Sequence, residues 1–155
     1  MTERQMNAEQ KAVAAVKMLG ANVGWVGTNV DSVYFTPAKI TDTDLKHMKV
    51  LNGITKLKLN GSPITDAGLK HLQSLTSLVQ LHLVGTEITD AGLEHLKSLI
   101  HLGFLNLSNT QVTNAGLERL KSLKNCKTIR LSDTNVTGAG VTKLNRALPG
   151  CKITQ

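Results

Sequence analysis

One phrase returns through this chain at a fixed interval. Ile64 opens ITDAGLKHLQSLTSLVQLHLVGTE, Ile88 opens ITDAGLEHLKSLIHLGFLNLSNTQ, and Val112 opens VTNAGLERLKSLKNCKTIRLSDTN. A more divergent copy begins at Ile40 and a terminal one, VTGAGVTKL, at Val136, so the starts at 40, 64, 88, 112 and 136 are each 24 residues apart. A unit this short cannot bury its own apolar side chains. Only stacking on its neighbours gives it a core, so the period restricts the chain to a solenoid.

Two periodicities alternate within each unit. Leu69, Leu72 and Leu75 are spaced by three, as on one stripe of a short helix. Leu78, Leu81 and Leu83 then form an LxxLxL run whose end alternates as a strand does. Thr65, Thr89 and Thr113 precede the helices and suit the N-cap, where a side-chain oxygen accepts a free backbone N–H. Asp66 and Asp90 follow in the first turn, where negative charge meets the positive helix end. Gly68, Gly92 and Gly116 would each cost roughly 0.5–1 kcal/mol against Ala inside a helix, so their recurrence points to a close approach between units. After each strand Ser62, Thr86, Thr110 and Thr134 recur, a row of hydroxyls able to bond exposed backbone groups.

Stacked units pair their strands into a parallel sheet. Parallel strands sit about 4.8 Å apart, whereas helices need about 8–10 Å. The sheet must then be the shorter arc. The fold class expected is an α/β solenoid, curved and right-handed, with the sheet concave and short helices convex. Ala12, Val13, Val16 and Leu19 predict an N-terminal amphipathic helix stopped by Gly20. Val23–Val26 and Val30–Phe35 flank a turn at Gly27–Asn29 and read as a hairpin, with Val30, Val33 and Phe35 in the frame of the first strand. At the other end Leu144 and Leu148 continue a helix that Pro149 and Gly150 terminate, and Cys151–Thr154 predict a last short strand. The expectation is one domain over 1–155: an N-terminal cap with the first strand over 1–39, four 24-residue repeats over 40–135, and a C-terminal cap over 136–155.

The unit ITDAGLxxLxxLxxLxxLxLxxT resembles that of bacterial leucine-rich-repeat proteins with a ribonuclease-inhibitor-like architecture, and its ITDAGL phrase also recurs in the repeat domains of F-box ubiquitin-ligase adaptors. The likeness spans residues 30–153, and RALPGCKI at Arg146–Ile153 resembles the closing segment of the bacterial proteins. No F-box-like segment precedes the repeats. The resemblance implies protein binding on the concave sheet or its rims.

Side chains between the inward leucines face the concave side. One column is Tyr34, Lys58, His82, Asn106 and Arg130; beside it run Ser32, Lys56, Gln80, Phe104 and Thr128, and a third holds Thr36, Asn60, Val84, Ser108 and Ser132. Phe104 stands out because the chain has only one Trp, one Tyr and two Phe. Aromatic residues and Arg are the usual anchors of interfaces. The candidate partner-binding residues are Tyr34, Lys56, Lys58, Gln80, His82, Phe104, Asn106, Thr128 and Arg130, with Tyr34, His82, Phe104 and Arg130 at the centre.

The net charge of +7 favours acidic partners. Arg119, Lys121, Lys124, Lys127, Arg130, Lys143, Arg146 and Lys152 crowd the C-terminal end against one acid, Asp133, within that span. A polyanion or nucleic acid is the alternative ligand there, but Trp25 lies in the other cap, so basic and aromatic residues do not interleave as a base-stacking groove needs. His47, His71 and His95 share one repeat position on successive helices, too far apart for three ligands on one zinc. No nucleophile elbow, phosphate loop or HExxH is present, so the reading is non-catalytic with no cofactor and no metal. Cys126 takes a leucine position and Cys151 lies in the closing segment, where two buried thiols are favoured over a disulfide. No stretch is long and apolar enough for a membrane span. Residues 1–10 are polar and unlike a signal peptide, which favours the cytoplasm for the chain as given, or a secreted or periplasmic place if a leader was removed. The expectation is a monomeric protein-binding module whose partner the sequence does not identify.

Overall fold

The computed structural model describes residues 6–35 and 40–155. Helix α1 (Ala8–Met18) starts at Asn7, whose Oδ1 accepts the Gln10 amide while Gln10 Oε1 accepts the Asn7 amide. Gly20, at φ 87°, turns the chain out of the helix. Strands β1 (Ala21–Val26) and β2 (Asn29–Phe35) then form the expected antiparallel hairpin. Each repeat adds one short strand: β3 (Lys56–Lys58), β4 (Gln80–His82), β5 (Phe104–Asn106) and β6 (Thr128–Arg130), closed by β7 (Lys152–Thr154). The seven strands lie in sequence order in one sheet, parallel from β2 onward. Thr36, in the third expected column, lies outside the described residues.

The register follows from the constant period. Val33, Leu57, Leu81, Leu105, Ile129 and Ile153 are neighbours across the sheet. Leu57, Leu81, Leu105 and Ile129 are wholly buried, and so are Leu59, Leu83, Leu107 and Leu131 two residues later. The backbone ladder runs past the strands into one turn position that needs a left-handed residue. Gly61, Gly85, Asn109 and Asp133 occupy it with φ between 55° and 66°, and the first three donate to Val84, Ser108 and Ser132 carbonyls. Asparagine, aspartate and glycine are the residues that reach this conformation most cheaply.

On the opposite side the chain coils tightly. This side holds helices α2 (Asp66–Leu69), α3 (Asn114–Leu120) and α4 (Gly138–Ala147) and 3₁₀ turns at Asp44–Val50, Lys70–Leu72 and Gly92–Leu96. A spacing of three leucines suits three residues per turn, because side chains at i and i+3 then eclipse on one edge. Leu69, Leu72 and Leu75 are accordingly all buried at 0% exposure. Cys126 sits where Leu78 and Leu102 sit in other units and is buried with them.

The ITDAGL phrase works between units rather than within them. Asp66 Oδ1 accepts the Thr89 amide at 2.9 Å and its Oδ2 accepts the Thr89 hydroxyl at 2.6 Å. Asp42 does the same to Thr65, and Asp90 to Thr113. Each Thr oxygen also accepts the amide two residues on, at Ala67, Ala91 and Ala115, as an N-cap should. The glycine makes room for the incoming carboxylate. A Cβ at Gly68, Gly92 or Gly116 would sit against an Asp Oδ1 of the preceding unit. Asp66 opens α2, whereas Asp90 lies two residues before the turn at Gly92–Leu96, and both carboxylates are engaged by hydrogen bonds 23 residues down the chain.

Both ends of this row are modified. In the first unit Asp44 replaces the glycine, and its carboxylate accepts the Thr41 amide at 2.9 Å and the Thr41 hydroxyl at 2.7 Å. It supplies from within the unit what a preceding aspartate supplies elsewhere. Near the other end Asn114 bonds Thr137 through both amide atoms, and Gly138 stands where the next aspartate would be. The hydroxyls of Thr86, Thr110 and Thr134 each donate to the carbonyl three residues earlier at 2.7 Å, so they fasten their own turns rather than bridging units.

Candidate functional site on the concave sheet

Strand register builds this face from two columns. Ser32, Lys56, Gln80, Phe104, Thr128 and Lys152 form one; Tyr34, Lys58, His82, Asn106, Arg130 and Thr154 form the other. All nine candidate residues fall where the spacing placed them. Lys152, outside that set, extends the first column by the same step of 24 from Thr128. Asp31 is a further addition: its carboxylate accepts the Thr55 hydroxyl at 2.7 Å and lies 3.9 Å from Lys56 Nζ.

The side chains gather into two groups. At the centre, the His82 and Phe104 rings lie 4.8 Å apart, centre to centre, tilted by 33°. The Arg130 guanidinium lies 5.4 Å from the Phe104 ring centre, approaching from the β6 side while His82 approaches from β4. Nearer the N-terminal end, Lys58 Nζ lies 4.8 Å over the Tyr34 ring. Cations held over aromatic faces are attracted by the ring quadrupole, more strongly where water is partly excluded.

Asn106 departs from expectation. It stands between His82 and Arg130 in its column and is only 9% exposed. Its Oδ1 accepts the Ser108 amide at 3.0 Å. Asn106 therefore shapes the strand end and offers a partner little surface.

Apart from Asp31 beside Lys56, the charges of the face are positive. Neither column contains an acid, and Lys56, Lys58, Arg130 and Lys152 are all cationic. Partial burial, with the Lys58 and Arg130 charges, lowers the His82 pKa, so the central ring is neutral at pH 7.

The basic C-terminal end divides on inspection. Glu118 binds both Lys121 (2.5 Å) and Lys143 (2.8 Å), and Glu94 binds Arg119 (2.9 Å) and Lys97 (2.7 Å). Lys124 donates to the Ala147 carbonyl. Arg130 and Lys152 belong to the concave sheet instead. The crowding of charge in sequence is thus shared between two faces, and part of it is paired.

The repeated histidines lie on the convex side. His95 Nδ1 is 2.7 Å from Gln73 Nε2, while His71 Nδ1 is buried without a partner, and burial together with Lys49 lowers its pKa. Among the described residues no three His, Cys, Asp or Glu side chains converge as a metal site would require. Cys126 and Cys151 are free thiols. Burial, then the neighbouring Cys151, pushes the Cys126 thiol up to about 12, and burial also raises Cys151. Among the described residues no helix is long and apolar enough to cross a membrane.

A leucine-rich-repeat family profile matches residues 74–97 and 98–121, two successive units of the array. These two units are leucine-rich repeats, and the chain has the leucine-rich-repeat fold. The fold is shared with an internalin, InlF, from Listeria monocytogenes, at 26% identity and TM-score 0.65 over 81% of this chain. The chain spans 34% of that internalin's length. The leucine-rich-repeat ectodomain of the receptor kinase SOBIR1 from Arabidopsis thaliana aligns over 95% of this chain and 90% of its own, at 14% identity and TM-score 0.59. A TLR13–ssRNA13 complex aligns over 70% of this chain and 15% of its own, at 22% identity and TM-score 0.55. At these identities the latter two show the fold alone. No curated protein sequence matches the chain. The bacterial leucine-rich-repeat likeness read in the ITDAGL units thus meets a bacterial neighbour in three dimensions.

Proposed function

We propose that this leucine-rich-repeat chain is a non-catalytic binding module whose concave sheet docks a protein partner. The observation that carries this reading is the Phe104 ring, held outward from the sheet between His82 and Arg130. An apolar ring kept on the surface and flanked by groups able to hydrogen-bond is the composition of an interface anchor. Lys56, Lys58 and Lys152 widen the face around it and set its sign.

The reading is tested by capture from the native source with the wild-type chain and with a Phe104→Ala, Arg130→Ala double variant. Neither side chain belongs to the buried core, so the variant keeps its stability. A partner retained by the wild type and lost by the variant supports the concave face. The same partner retained equally by both removes it. A ligand whose affinity falls steeply with salt, and which ignores Phe104, is a polyanion held by exposed basic groups instead.

A further inference from the structure

The concave face carries two separate cations laid on aromatic rings, and their spacing defines a ligand. Lys58 on Tyr34 belongs to β3, and Arg130 on Phe104 belongs to β6. Three strand intervals separate them, or about 14 Å at about 4.8 Å per strand. Between them the columns present Gln80, His82 and Thr128, polar groups without fixed charge at pH 7. We propose that Lys58 and Arg130 are the two ends of a receptor for an extended acidic peptide that crosses the strands and places two carboxylates about four residues apart.

Several features favour this ligand. A carboxylate is matched by an Arg fork in two-pronged geometry, and the Phe104 ring, 5.4 Å from the guanidinium, favours its place over the sheet before binding. The cost of fixing a long flexible side chain is then largely met in the free protein. An extended chain advances about 3.3 Å per residue, so four residues span nearly the interval from β3 to β6. An apolar residue near the second carboxylate meets the exposed edge of Phe104. Nucleic acid fits less well. His82 and Arg130 both lie against the Phe104 ring, which reduces the ring surface open to a stacking base. The cations also stand at the two ends of the face rather than in the continuous track that a phosphate backbone requires.

This inference rests on the concave face being the docking surface, and its test separates the two. Fluorescein-labelled short peptides carrying two glutamates about four residues apart, with one leucine between, are titrated by anisotropy. A peptide of identical composition with the glutamates adjacent serves as the comparison. The expected result is tighter binding of the spaced peptide, weakened about tenfold by Arg130→Ala. Lys58→Ala weakens the spaced peptide alone, and Arg130→Lys, which keeps the charge but loses the fork, fails to restore it. Equal binding of both peptides, or equal or tighter binding of heparin or an oligodeoxynucleotide, overturns the proposal. If neither peptide binds while capture of the native partner still requires Phe104, the acidic-peptide proposal fails and the docking face stands. If that capture is also independent of Phe104, both fall.

Discussion

Replacing Gly92 by Ala sets two physical effects against each other. Gly92 begins a 3₁₀ turn and is buried, and its φ is not left-handed, so backbone propensity alone favours Ala by about 1 kcal/mol. The added Cβ, however, meets Asp66 Oδ1, with the Asp66 carboxyl carbon at 3.0 Å and Leu69 Cδ1 at 3.1 Å. To admit it the carboxylate must swing away from Thr89, giving up bonds of 2.9 and 2.6 Å. Hydrogen bonds to a charged group contribute about 1.5–3 kcal/mol each, and this half-buried pair belongs at the lower end. The net expectation is a loss of roughly 2 kcal/mol, or about 4–8 °C in Tm for a chain of this size. Urea and thermal unfolding of Gly92→Ala measure it. The same substitution in an Asp66→Ala background should cost far less, because the obstructing carboxylate is gone, so the two changes should be strongly non-additive. Gly138→Ala is the control: no atom lies within 4 Å of its Cβ position, and it should be neutral or stabilising by up to about 1 kcal/mol. A Gly92→Ala protein as stable as wild type, or costs that simply add, would refute the inter-unit role of the carboxylates.

Other expectations follow from the same geometry. Asp90→Asn should cost less than Asp90→Ala in equilibrium unfolding, because Asn114 already makes both contacts to Thr137 with an amide. Hydrogen bonds from the Thr41 hydroxyl and amide hold the Asp44 carboxyl below the ordinary carboxylate range. Its stabilisation is complete above the unfolded value and lost as the pH falls through the folded one, so Asp44→Gly should reduce stability at neutral pH and matter little in strong acid. His82 titrates below the usual histidine range, and its NMR midpoint should rise in Lys58→Ala and in Arg130→Ala, which remove the two opposing charges. Because the folded value is the lower one, its share of stability is present above the ordinary range and is lost as the pH falls through it. Cys126 and Cys151 should resist iodoacetamide at pH 8 until the protein is unfolded, since burial raises both thiols and only thiolate reacts.

The sheet was legible residue by residue because no unit gains or loses a position between 40 and 136. Counting in steps of 24 then fixes which side chains share a column, and strand pleating fixes which of them face outward. The same counting could not reveal which outward side chains cover one another. Asn106 and Arg130 share a column, yet the first is buried and the second is exposed. The role of the aspartates was hidden for another reason. A local reading sees Asp66 at the start of its own helix, whereas its partner is Thr89 in the next unit. The clue was present at the edges of the array, where Asp44 replaces the glycine and Gly138 replaces the aspartate.

Those two exchanged residues bear on how such an array can change in length. Asp44 fills from inside the slot that another unit would need, and Gly138 withholds the group that a following unit would grasp. Growth by tandem duplication is therefore easy in the interior and obstructed at either margin. Copying residues 64–87 in place would keep every carboxylate matched to a threonine, while moving Lys58 and Arg130 one strand farther apart. A single duplication event would lengthen the gauge of the concave face and leave its chemistry untouched.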